Sequence, residues 1–187
     1  MVLLLAPAVQ AADIDSSSVS IVQNALARLW DYKANHGSER GWSLGLELPE
    51  IVINQYIHQL IASGQRQGVL NAQIKFGAGN EVDLACDLDL LKVCAWNGKL
   101  CKQAKLEGRA SLPLQAQITM DVSGGVAAVT VTQVTSPGFT GDRALLKKLV
   151  ETVASQQPEH FELGKPIHLA FPLSAAAHGN VLTIKVN

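Results

Sequence analysis

The chain is short of the features from which an activity is usually read. Charged residues fill 17% of its 187 positions and the formal net charge is −1. That leaves no field strong enough to hold nucleic acid or an anionic bilayer. His36, His58, His160, His168 and His178 are scattered, without the His-x-x-x-His spacing that sets two ligands on one helix face. Ser16, Ser17 and Ser18 lack the Gly-x-Ser-x-Gly setting of an esterase nucleophile, and no glycine loop joins a strand to a helix to cradle phosphate. Asp83, Asp87 and Asp89 share one strand face and raise the question of calcium. A solvated face with Lys105 and Arg109 as cross-strand partners accounts for them more simply. These absences point away from an enzyme and require neither metal nor cofactor. The apolar run Val2 to Val9 is too short to cross a bilayer as a helix.

What the chain does have is alternation. Leu70, Ala72, Ile74 and Phe76 alternate with polar residues, and Val82, Leu84, Cys86, Leu88 and Leu90 with mostly polar ones. A longer run carries Ala104, Leu106, Gly108, Ala110, Leu112, Leu114, Ala116, Ile118, Met120 and Val122. Side chains on a strand point to opposite faces in turn, so each run reads as a strand with one apolar and one wet face. Turn residues at 77–80 and 123–125 separate them, and a further strand is predicted over Val126 to Val134. Ile167, Leu169, Phe171 and Leu173 alternate again, and a last strand, Val181 to Val186, follows an Ala175-Ala176-Ala177 loop. Pro113, inside the long run, requires a bend or an edge.

Asn97-Gly98 is a two-residue hairpin signal whose register sets Cys94 opposite Cys101 on the wet face, within disulfide reach. Carried onward unchanged, that register mixes the two faces. A β-bulge at Leu90-Leu91 repairs it, placing Leu88 against Leu106 and Asp89 against Lys105. Cys86 falls on the apolar face, where a thiol behaves as a small hydrophobe. A Cys94–Cys101 bond belongs to an oxidising compartment. Residues 1–11 agree with this: they read as the remnant of an export signal ending in Val9-Gln10-Ala11, before Ala12 and Asp13. Residues 13–187 are then a single domain, large enough to bury a core, in a periplasmic or otherwise exported protein.

Three amphipathic helices are predicted beside the sheet. Val22, Ala25, Leu26, Leu29 and Trp30 stripe the first, with Ser16 to Ser18 as capping candidates. The second starts at Pro49, presents Ile53, Tyr56, Ile57 and Leu60, and stops near Ser63-Gly64. The third follows Thr140-Gly141-Asp142 and carries Leu145, Leu146, Leu149, Val150 and Val153. Residues 35–43 form the one loop of some length. The order implies an α+β fold, a curved antiparallel β-meander wrapped on amphipathic helices.

The segment Leu48-Pro49-Glu50-Ile51-Val52-Ile53-Asn54-Gln55-Tyr56-Ile57 resembles the Leu-Thr-(acidic)-x-x-Ile-Asn-Gln-Tyr-Leu helix of the bacterial YceB-like envelope lipoproteins. These look related to the tubular lipid-binding (TULIP) superfamily. The resemblance runs loosely from Leu48 to Val153, through the meander, a Gly-x-x-x-Val-x-Val strand at Gly125 to Val131, and another amphipathic helix. It implies a strongly curved sheet around a long helix, enclosing a lipid-sized apolar channel in an exported protein. Ile53, Tyr56, Ile57 and Leu60 would face that channel, while Asn54 and Gln55 would fix the helix by hydrogen bonds. The first cysteine is Cys86, so the lipobox anchor of those lipoproteins is not carried over.

The expected lining is aliphatic. Besides the four helix residues it comprises Ile74, Phe76, Leu84 and Leu88 from the first two strands. The long strand adds Leu106, Ala110, Leu114, Ala116 and Ile118, and the third helix Leu146, Leu149 and Val150. Such walls suit hydrocarbon, which needs contact area and little directional bonding. The sequence therefore points to a monomer that binds a lipid or another apolar ligand, without catalysis, in the bacterial cell envelope. The alternative is a ligand-free periplasmic scaffold or protein-interaction domain, with an envelope protein as partner, whose apolar sheet face is simply its core.

Overall fold

The alternating segments pair into one antiparallel sheet. A computed structural model describes residues 16–36, 44–158, 164–169 and 173–186. The expected export segment 1–11, most of the loop 35–43, His160 and Phe171 lie outside the described residues, as do the side chains of Ser16 to Ser18 and His36. The elements run α1 (Ser16–His36), β1 (Leu44–Pro49), α2 (Glu50–Ala62), β2 (Val69–Phe76), β3 (Glu81–Asp89), α3 (Leu90–Trp96), α4 (Gly98–Gln103), β4 (Ser111–Ser123), β5 (Val126–Thr135), α5 (Arg143–Ser155), β6 (Ile167–His168), β7 (Leu173–His178) and β8 (Val181–Val186). The strand order is β1-β8-β7-β4-β3-β2, with β5 paired to β4 and β6 to β5. The chain thus has the expected α+β class, a curved meander on helices that does not close into a barrel.

β4 is the spine. Ser111 to Ser123 pairs with β3 up to Thr119 and with β5 from Gln115, so β3 and β5 lie on opposite edges. Farther along, Val122 pairs with Ala127 of β5 and Ala175 of β7, so β7 has replaced β3 on the same edge. Pro113 stands before the β5 pairing begins. Its carbonyl faces that side and accepts the Ser136 hydroxyl, so its missing N–H interrupts no ladder.

β2 is the outer strand beyond β3, and α2 occupies its free edge. Asn54 Nδ2 donates to the Ile74 carbonyl at 2.8 Å, and the Ile74 N–H donates to Asn54 Oδ1 at 2.7 Å. The Phe76 N–H donates to Glu50 Oε2 at 2.7 Å. One side-chain amide here does what a further strand would do. A second amide works the same way at the end of α5. Gln157, the one buried polar side chain among the described residues, donates to the Gln67 and Val153 carbonyls at 3.0 and 2.8 Å. Beside it the Trp96 ring covers Gly68, where a Cβ would stand 2.5 Å from the indole.

The predicted hairpin between Leu90 and Leu106 does not form. Asp89 caps α3, accepting from the N–H groups of Leu91 and Lys92, and Asn97 caps α4, accepting from Leu100. Asp and Asn favour turns and helix N-caps alike, and here the caps win. No bulge arises at Leu90-Leu91. Leu88 faces Leu112 and Asp89 faces Ser111, in place of Leu106 and Lys105. Nor do the acids pair with Lys105 and Arg109: Lys75 stands across from Asp83, and Asn71 donates to Asp87. The disulfide forms all the same. Cys94 and Cys101, Cα atoms 5.5 Å apart, tie α3 to α4, with Cys101 buried rather than on a wet face. Closing so short a loop contributes about 2.5 kcal/mol through the entropy of the unfolded chain.

Smaller differences have similar causes. β1 was not expected, although Leu44, Leu46 and Leu48 alternate; it pairs with β8 through Leu48 and Leu182. The Ala175-Ala176-Ala177 stretch is strand, held by Ile184, Thr183 and Leu182 of β8, because pairing overrides the low strand preference of alanine. On α1, Val22, Ala25 and Leu29 are buried as predicted, while Leu26 and Trp30 are exposed.

The amide staple on β2 is testable. Asn54→Ala leaves the part-buried Ile74 N–H and carbonyl without partners, and should cost about 2–3 kcal/mol of stability in urea unfolding. Asn54→Asp keeps the acceptor alone and should recover part of that. A loss within about 0.5 kcal/mol in Asn54→Ala would mean that water replaces the amide at no cost.

Candidate functional site: an apolar helix against the sheet edge

α2 packs on α1 and β2 and touches β1. It is apolar around much of its circumference, yet Val52 is its only buried residue. Ile53, Tyr56, Ile57, Leu60 and Ile61 are half-buried, and Ile51 is 67% exposed. Ile53 joins two clusters, that of Leu46, Leu48 and Val186 beneath α1 and that of Phe76, Val82 and Ala177. Ile57 and Ile61 pack on the main core between the sheet and α3, α4 and α5. The Gln55 amide oxygen is buried without a hydrogen-bond donor. Of the two polar residues expected to fix the helix, Asn54 therefore does so through its side chain, and the Gln55 oxygen takes no part.

The expected lining residues divide into two sets. Leu88, Leu106, Leu114, Ala116, Leu146 and Leu149 are buried in the main core. Leu112 and Leu149 have no exposed surface at all, so no water-sized space touches them and the core is filled there. Phe76 is buried in the neighbouring cluster. Ile74, Leu84, Ile118 and Val150 are half-buried, like the α2 residues. Ala110 is a correction: it is exposed, and its carbonyl accepts the Leu90 N–H. The alternation of 104–110 belongs to the end of α4 and a turn, where Lys105 and Gly108 take positive φ, and not to a strand. Leu106 reaches the core from that turn.

The other chemistry-bearing groups do not assemble. Burial, with the Asp87 charge as the smaller cause, pushes the Cys86 thiol up to about 12. It therefore stays protonated and is no nucleophile. His58 is half-buried on α2, and His168 and His178 are exposed. Among the described residues, no three His, Cys, Asp or Glu side chains are grouped to hold a metal ion. No described helix is long and apolar enough to cross a membrane. Compared with protein-family models, curated proteins and solved structures, the chain matches none.

Two outcomes are expected. Ala116→Trp overpacks the filled core and should cost about 3 kcal/mol in thermal or urea melts, whereas Ala110→Trp should stay within about 0.5 kcal/mol. Equal tolerance at both positions would reveal open space beneath β4. For Cys86, native and unfolded states are both protonated below the ordinary thiol value of 9.0. Above it the unfolded thiol ionises first, so stability should fall with rising pH up to about 12. Urea unfolding of the protein and of Cys86→Ala on either side of pH 9 reads this slope, which the variant should lack.

Proposed function

We propose that this protein is a non-catalytic binding module of the bacterial cell envelope that holds an acyl chain or another apolar ligand along α2. One observation carries the reading. A helix apolar on most sides is normally sealed in a core, but α2 keeps Ile53, Tyr56, Ile57 and Leu60 half-open. A hydrocarbon chain laid on that surface would gain about 25 cal/mol for each Å2 of apolar area removed from water. The Cys94–Cys101 bond suits an oxidising compartment such as the periplasm. The similarity of Leu48 to Ile57 to the opening helix of YceB-like envelope proteins supports the same reading.

A second reading, a ligand-free scaffold or protein-interaction domain, is favoured by the filled core beneath β3 and β4. Exposed Ile51 and Leu91 would then be contacts for a partner.

Native mass spectrometry of protein purified from exported expression, followed by organic extraction, separates the two. A phospholipid or fatty acid bound at near-stoichiometric level is expected. A clean protein mass, unchanged after incubation with lipids, would overturn lipid binding and leave the scaffold.

A further inference from the structure

The polar face of the sheet carries a groove of about 520 Å3 that the apolar ligand site does not use. It crosses β2, β3, β4 and β5 between two ladders of side chains set by the strand register. One ladder is Gln73, Ala85, Gln115 and Thr135; the other is Lys75, Asp83, Gln117 and Gln133. The backbone of Ile74, Leu84 and Ala116 forms the floor, because successive side chains point to opposite faces. Four strands about 4.8 Å apart make a trough about 14 Å long, and Ala85 leaves its middle clear. Both flanking strands are irregular. β2 shifts register between Leu70 and Gln73, and Thr132 is an extra residue of β5 between the pairs Gln117–Gln133 and Ile118–Val131. Bulges bend the strands they interrupt and recur beside binding sites. The Thr132 hydroxyl pins this one by donating to the Gln117 carbonyl at 3.0 Å.

The walls are hydrogen-bonding and nearly neutral. Among the described residues four primary amides and one hydroxyl line them, and each amide both donates and accepts. Lys75 and Asp83 stand directly opposite each other and offset their charges. Glu50, at the rim, is engaged with the Phe76 N–H. Among the described residues the lining carries one cation and two carboxylates, too little net charge to hold a polyanion, and no aromatic ring to stack a base. A ligand that matches is neutral and carries groups that donate and accept in turn, as a row of sugar hydroxyls does. We infer that the trough is a binding site for a short neutral oligosaccharide laid across the strands. The site is independent of the apolar ligand proposed for α2. Without a ring to stack on, its affinity is weak, about 1 mM.

Side-chain amide NMR spectra during titration with chitotetraose and maltotetraose test this. Saturable shifts of the Gln115, Gln117 and Gln133 amides are expected with at least one of the sugars. Gln117→Leu keeps the size of the wall and should weaken binding roughly tenfold. Ala85→Ile fills the trough with a strand-compatible side chain on the exposed face and should abolish binding at unchanged melting temperature. Absence of saturable shifts, shifts confined to residues outside the trough, or undiminished affinity in both variants would overturn the proposal. So would shifts produced by a neutral extended tetrapeptide and by neither sugar.

Discussion

The free edge of β2 is the constraint on which the arrangement depends. A part-buried strand edge with empty N–H and carbonyl groups costs free energy wherever water cannot fully serve them. Asn54 and Glu50 meet that need at Ile74 and Phe76. At its start α2 is tied again: Pro49 joins it to β1 without a loop, and the Glu50 N–H donates to the Asn180 carbonyl in the turn before β8. The helix is therefore bonded to both outer regions of the sheet path, β2 and the β1–β8 pair. Its direction follows from these bonds rather than from hydrophobic burial alone.

That anchoring has a consequence for exposure. A helix held by its polar side chains at a strand edge cannot sink freely into the core, so its aliphatic residues stay half-open. The main core is closed instead by α3, α4 and α5, with Leu149 of α5 against the sheet and the Cys94–Cys101 bond fixing the two short helices. The main core is thus closed chiefly by helices other than the one that carries the proposed apolar contact. The opposite face owes its trough to register: bulges on β2 and β5 bend the strands, and two polar ladders stand on either side of a bare backbone floor.

Much of this was legible in the residues. Alternation located β2, β3, β5, β8 and the part of β4 beyond Leu112, while helical spacing located α2 and α5; in the structure Asp142 caps α5. The disulfide pair was identified through a hairpin that does not exist, because a separation of seven residues suits both a hairpin and two short capped helices. Asp89 and Asn97 decide between those by capping, and neither residue type announces in advance which it will do. Ala110 failed for a related reason: period-two hydrophobicity persisted through a helix end and a turn, where it had no strand to describe.

Local chemistry by itself determined the α+β class, the apolar and wet sides of β2, β3 and the later part of β4, the course of α2 and α5, and the pair of cysteines that bond. It did so because side-chain alternation, capping and spacing act over a few residues. Only the tertiary structure decided which apolar positions are sealed and which stay half-open. It alone also set α2 against β2 and aligned glutamines from β2, β4 and β5 along one trough. Exposure and cross-strand alignment depend on what segments distant in the chain bring opposite a residue, and a period of two tells only which way that residue points.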